Sequence, residues 1–249
     1  MPLLGDEGHK EMVATLSHVA KAIEKPSAMI VVSAHWEQKI PTITHAASPK
    51  LIYDYFGFPA EAYEIQYPAP GDPNLAQEVF DALTGSGIEA KLDAKRGFDH
   101  GLFVPLKIMF PEADIPCIQL SLTRELDPLA HIKMGEALSR FADDGVLIIG
   151  SGFSFHNMKA FGAPNTPETQ VMNEEFEDWL IRTCEEPGID EPERERRFLE
   201  WAKAPSARYC HPREEHLLPL HVCYGATKRP AAVSFELSII NKKSSMFLW

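Results

Sequence analysis

Two uninterrupted apolar runs, Met29-Ile30-Val31-Val32 and Val146-Leu147-Ile148-Ile149, each end in a short polar or glycine turn that leads to a histidine, His35 after the first and His156 after the second. Runs of this length read as buried strands, and the stretches around them carry the helical period, which confines the chain to a layered α/β architecture. In open α/β sheets ligands collect outside the carboxyl ends of the strands. Histidines delivered there by separate strands can therefore converge on one metal or one substrate.

Met12, Val13, Leu16, Val19, Ala20 and Ile23 mark one face of a helix after Asp6, and a strand over 28–33 follows Pro26. Asp72-Pro73 opens a second helix with Leu75, Ala76, Val79 and Leu83 inward, closed by Gly85-Ser86-Gly87. The pattern then predicts a short buried helix over 102–110, a strand over 115–122, an amphipathic helix over 128–141 and a strand over 146–150. A long helix over 167–184, a helix over 214–224 and a last strand over 232–240 complete it. Residues 185–197 mix charges of both signs with Pro and Gly and read as a solvated excursion. The expectation is one domain over 1–249, α/β, with a mostly parallel or mixed central sheet and helices on both faces.

A net charge of −12 argues against nucleic acid or an anionic membrane as the main partner, since both reward clustered Lys and Arg. No apolar stretch approaches the roughly 18 residues of a membrane span, and no cationic leader precedes an apolar segment. A small-molecule substrate and a cytoplasmic location are the expectations. Cys117, Cys184, Cys210 and Cys223 are scattered without Cys-x-x-Cys spacing, so they predict reduced thiols and neither a zinc ribbon nor a redox pair.

Four of the ten histidines stand out. His100 lies in Gly97-Phe98-Asp99-His100-Gly101, an expected exposed loop in which Asp99 is placed to orient the ring or a nearby group. His156 follows a glycine turn, and His216 opens an apolar helix and can point into a crevice. His211 and His216 are five positions apart, about 140° of helical rotation against about 40° for a spacing of four, which disfavours a zinc-peptidase pair. His9, His18, His45, His131 and His221 read as structural or exposed.

Ser33-Ala34-His35-Trp36, Tyr67-Pro68-Ala69-Pro70-Gly71, Gly97-Phe98-Asp99-His100-Gly101, Pro111-Glu112-Ala113-Asp114-Ile115-Pro116, His156-Asn157 and Glu215-His216-Leu217-Leu218-Pro219-Leu220 follow one another as they do in the class III extradiol ring-cleavage dioxygenases. The chain resembles that family, and within it the 4,5-DOPA dioxygenase branch. The resemblance implies a non-haem metal enzyme that opens a catechol ring beside its two hydroxyls, inserting both atoms of O2. It implies His35 and His216 as metal ligands and His156 as a further ligand or as the base that deprotonates the catechol. His100 is implied as the acid/base facing substrate and oxygen. Turnover needs a metal that relays electrons, so Fe(II) is the expected cofactor, with Zn2+ an alternative occupant because such ligands bind it readily.

The resemblance also implies a strand ending in a metal-ligating His-Gly turn ahead of the segment matching 1–6. The expectation is that this ligand is missing from 1–249, either because the sequence starts at an internal Met or because the ligand is lost; His9, near a helix start, is not equivalent. Two other classes remain: a non-catalytic metal-binding or signalling relative of the Memo type, and a zinc hydrolase with Glu215 as base. Phe56, Phe58, Tyr63, Phe153 and Phe155 are placed to stack on an aromatic substrate, or to pack. Which catechol is used, and in what oligomeric state, is not legible.

Overall fold

The computed structural model describes residues 1–161 and 163–249. Helix α1 (Lys10–Ala22) precedes strand β1 (Ala28–Gln38) and the short β2 (Thr42–Thr44). Helix α2 (Pro73–Gly85) leads to β3 (Lys91–Asp93), α3 (His100–Met109), β4 (Cys117–Thr123), α4 (Pro128–Asp143) and β5 (Val146–Ser151). Then come α5 (Met158–Phe161), α6 (Pro167–Glu185), α7 (Glu191–Leu199), α8 (Ala207–Cys210) and α9 (Leu218–Thr227), and a hairpin of β6 (Val233–Ile239) and β7 (Lys242–Leu248).

The central sheet has the order β3-β2-β4-β1-β5. β1 runs parallel to both β4 and β5, β2 parallel to β3, and the β2–β4 pair is antiparallel, so the sheet is mixed and mostly parallel. Alternate residues of β1 face opposite ways, as a period of two requires. Ile30 and Val32 pack with Leu75, Val79, Leu138 and Val222 from α2, α4 and α9, while Met29 and Val31 pack with Leu102, Phe103 and Leu106 of α3. Helices thus cover both faces. Their starts follow capping chemistry: Asp72 accepts from the N–H groups of Asn74 (3.1 Å) and Leu75 (3.0 Å), and Asp127 from that of Ala130 (3.1 Å), each with a proline in the first turn.

β1 continues past the expected strand end. It pairs with β4 in register as far as Ser33 opposite Ser121, and the next pair is Glu37 opposite Leu122, so Ala34, His35 and Trp36 bulge out of the ladder. A bulge re-aims side chains, and this one turns His35 out at the carboxyl end of the sheet.

The last strand forms where expected, as β6, and pairs antiparallel with β7 in a hairpin separate from the central sheet, turned by Ile240 and Asn241, both at positive φ (50° and 63°). Two expectations need correction. The segment 185–197 is no solvated excursion, because it contains most of α7 and Arg194 is fully buried. The Arg194 guanidinium donates to the carbonyls of Thr183, Glu186 (2.8 Å) and Ile189 (3.1 Å) and to the Glu191 carboxylate (2.9 Å), capping the carboxyl end of α6. The helix expected over 214–224 begins at Leu218, leaving His216 in the turn before it. The short β2 and β3, and β7 beyond the last apolar run, were not readable from period.

Candidate metal and catalytic centre

The four singled-out histidines meet at the carboxyl end of the central strands. The ring centroids of His35 and His100 are 3.8 Å apart, those of His35 and His216 4.8 Å, and those of His156 and His216 3.4 Å. Each comes from a different element: the β1 bulge, the first turn of α3, the loop after β5 and the turn before α9.

His35 is fixed through Ser33, whose Oγ accepts the His35 N–H (3.2 Å) and donates to Asp99 Oδ1 (2.8 Å). Gly101 closes this corner, since a Cβ there would lie 2.4 Å from Ser33 Oγ and 3.1 Å from His35 Cδ2. His216 is seated by a similar close approach, because a Cβ at Gly152 would lie 2.1 Å from the His216 carbonyl oxygen. Burial, reinforced by the neighbouring His100, depresses the His35 imidazole to about 4. Burial also pushes His216 well below its ordinary value, helped by His156 and His35. Both rings are therefore neutral near pH 7, the state in which imidazole binds a metal.

His216 Nδ1 is buried and has no hydrogen-bond partner among the described residues. A buried, unpartnered nitrogen of this kind is costly unless a group from outside the chain binds it. The His35 and His216 rings meet edge-on, with 79° between their planes. A neutral, all-nitrogen donor set with one unpartnered atom suits a first-row divalent cation such as Fe(II) or Zn2+. His156, Glu215 and His216 each offer a ligand atom within 4.8 Å of the others, as do His35, Asp54 and His100.

His156 Nδ1 lies 3.3 Å from Glu215 Oε1, and Arg213 reaches the other Glu215 oxygen (3.3 Å) while gripping Glu37 through both terminal nitrogens (2.6 and 2.7 Å). Burial pushes the Glu215 carboxyl up, but bonds from His156 and its own backbone outweigh this and leave it below the ordinary glutamate range. It orients His156 as an anion. His100 is the first residue of α3 and half-buried, where an exposed loop was expected. Asp99 does not orient its ring: the fully buried Asp99 carboxylate caps α3 at Gly101 N (3.0 Å) and binds Ser33 and Arg96 (2.8 Å). The partner of His100 is Asp54, whose Oδ1 is 2.8 Å from His100 Nδ1.

Residues 6–243 match the model of the catalytic LigB subunit of aromatic ring-opening dioxygenases. The chain belongs to the LigB family. Among curated relatives of this LigB-family protein, the dioxygenase tasH of Hapsidospora irregularis is 39% identical over 91% of this chain and 74% of its own length. A 4,5-DOPA dioxygenase extradiol of Beta vulgaris is 42% identical over 82% of this chain and 74% of its own, and one of Escherichia coli K12 is 32% identical over the same shares. A solved structure, that of the uncharacterized E. coli K12 protein JW3007, superposes with a TM-score of 0.74 at 26% identity, covering 95% of this chain and 92% of that one.

Membership of a family whose relatives include extradiol ring-cleaving dioxygenases makes this LigB protein an enzyme of that class. Its remaining histidines serve structure where they are buried: His131, for example, donates through Nδ1 to the Asp127 carbonyl (2.7 Å) and accepts the Thr123 N–H at Nε2 (3.3 Å). Of the aromatics, Phe153 lies parallel to the His216 ring at 5.8 Å, Phe56 is 90% exposed, and Phe155 is packed in a separate core with Phe176 and Trp201. Among the described residues no helix is long and apolar enough to cross a membrane.

Sequence reading missed two groups here, Asp54 as partner of His100 and the Arg213–Glu37 clamp on Glu215. Neither leaves a local signal, since the partners are 46 and 176 positions apart.

Proposed function

We propose that this LigB-family enzyme opens a catechol-type ring, DOPA-like in class, at a site where His35 and His216 hold Fe(II). One observation carries the reading: four imidazoles from four separate elements share one crevice, two of them depressed by burial into the neutral, metal-binding form. When bound, Fe(II) supplies the electron relay between ring and O2, which redox-silent Zn2+ does not, although Zn2+ competes for the same nitrogens.

His156 lies face to face on His216, with only 15° between their planes. Two stacked rings point their lone pairs along parallel planes and are poorly placed to share one ion, which favours His156 as proton acceptor over third ligand. With Nδ1–H held by Glu215, its Nε2 takes the proton of a catechol hydroxyl. A reference pKa of about 6.5 suits imidazole to that transfer at neutral pH. His100, across His35 from His216, is the acid/base that returns a proton as the ring opens. Both oxygen atoms of O2 end in the product, so no further oxidant is consumed. A reducing compartment such as the cytoplasm suits four free thiols.

The test is anaerobic loading with Fe(II), followed by an oxygen electrode with DOPA, a caffeate-like acid and simple catechol. The expected result is one O2 consumed per catechol with a yellow ring-opened product, and loss of bound iron in His216→Ala. Iron-loaded protein that consumes no O2 with any catechol would overturn the reading.

A further inference from the structure

The segment carrying Asp54 is built as rigidly as the metal crevice itself. Ile52 N–H donates to the Phe98 carbonyl (2.7 Å) and Phe98 N–H to that of Lys50 (2.8 Å), so residues 50–52 run beside 97–98 as a short parallel bridge. Only glycine permits that approach at position 97, because a Cβ there would lie 2.0 Å from the Lys50 carbonyl oxygen. On either side of Asp54 a tyrosine is anchored: Tyr53 OH donates to the Ile65 carbonyl (2.7 Å) and Tyr55 OH to that of Ala62 (2.5 Å). Tyr55 also meets the His100 ring edge-on at 5.6 Å. The carboxylate is therefore delivered to one place.

There a single oxygen, Oδ1, accepts both the backbone N–H of His100 (3.0 Å) and its ring Nδ1 (2.8 Å). An ionised carboxylate only accepts, so the ring nitrogen facing it carries a hydrogen, and in a neutral imidazole the other nitrogen is then bare.

We propose that Asp54 is the positioning residue for His100: its carboxylate holds the proton on Nδ1 and so presents Nε2, with a free lone pair, to the crevice shared with His35. The inference rests on the reading of His100 as the acid/base group. Nε2 takes up a proton from the reacting ring and returns it, while the bond to Asp54 fixes the ring plane in both states. Asp54 itself touches neither substrate nor metal. It is therefore distinct from the alternative in which His35, Asp54 and His100 jointly bind a cation, which would take Oδ1 away from both of its bonds to His100.

Asp54→Leu keeps much of the shape but removes the oxygen that accepts from both His100 nitrogens, so nothing holds the hydrogen on Nδ1. In the iron-loaded enzyme kcat is expected to fall by about 100-fold or more, the scale of a general acid–base contribution, while KM and the affinity for Zn2+ change less than about threefold. In the metal-free protein, nitrogen NMR of labelled histidine, with the His100 signals assigned by His100→Gln, is expected to place the proton on Nδ1 in the parent and mainly on Nε2 in Asp54→Leu. A parent ring protonated on Nε2, an Asp54→Leu enzyme with full kcat, or one that loses Zn2+ would each overturn the role of Asp54. A parent that turns over no catechol, or His100→Gln with full kcat, strikes instead at the proposed function. The NMR result then still decides what Asp54 does to the ring.

Discussion

Arg194 shows how one residue reverses the meaning of a charged stretch. Its neighbours Glu193, Arg196 and Arg197 behave as a solvated face should, with Arg196 and Arg197 paired to Glu193 at 2.7 and 2.9 Å across the surface of α7. Such exposed pairs contribute little. Arg194 instead lies fully buried with three carbonyls at its guanidinium: that of Thr183 in the last turn of α6, that of Glu186 just past it and that of Ile189 in the loop leading to α7. Arg194→Met retains much of the bulk but leaves the Thr183 and Ile189 carbonyls without their donor. A buried acceptor left unsatisfied costs about 1–3 kcal/mol, so the variant's denaturation midpoint should fall in urea. A midpoint equal to that of the parent would mean that the carbonyls are satisfied in some other way. No periodicity distinguishes Arg194 from Arg196 or Arg197, and its partners are other residues' backbones.

At the scale of elements, the site depends on how closely helices and loops approach. α4 and α9 touch through glycines: a Cβ at Gly135 would lie 2.1 Å from the Val222 carbonyl oxygen, and one at Gly225 2.1 Å from that of Ile132. Because α9 starts just after His216, seating this helix against α4 also seats His216. Gly225→Ala gains about 1 kcal/mol of helix propensity but forces two backbones apart, and overpacking typically costs about 1–3 kcal/mol. The expected outcome is a lower thermal midpoint, measured by circular dichroism, together with weaker Zn2+ binding; a variant more stable than the parent would contradict the close-packed interface. The helices and main strands were legible because their period is local, whereas the glycines that set interhelical distance carry no period. The β1 bulge is equally silent, since Ala34, His35 and Trp36 read as a simple continuation past the strand end until β4 is laid beside them.

For the molecule as a whole, the hairpin of β6 and β7 is tied to the body through a buried carboxyl. Glu177 on α6 is completely buried; Ser245 of β7 donates to its Oε2 (2.7 Å), and the Ser245 N–H donates in turn to Ser154 Oγ (2.8 Å) in the loop that carries His156. Burial raises this carboxyl from 4.5 to about 7, against the pull of the two serines. The folded state therefore holds the proton more tightly than the unfolded chain. Its stabilising contribution is complete below about pH 4.5 and is lost as the pH rises through 7, a change on the order of 3 kcal/mol. Glu177→Gln removes that dependence, so the stability of the parent relative to this variant should decline between pH 5 and pH 8 in parallel urea titrations. Curves that stay parallel across that range would exclude a buried, protonated Glu177.

The order of the main strands and helices, and the four histidines that share the crevice, could be read from the chain alone, because hydrophobic period and residue chemistry are properties of neighbours in sequence. What the tertiary structure decided is who stands next to whom. His35 turns out of the ladder only because β4 lies beside β1, Asp54 reaches His100 across 46 positions, and Glu215 takes His156 while Asp99 is consumed in capping α3. Hydrogen bonds and burial are set by distances in space, and in this chain the partners that orient the rings of the crevice come from loops whose own sequences carry no repeating signal.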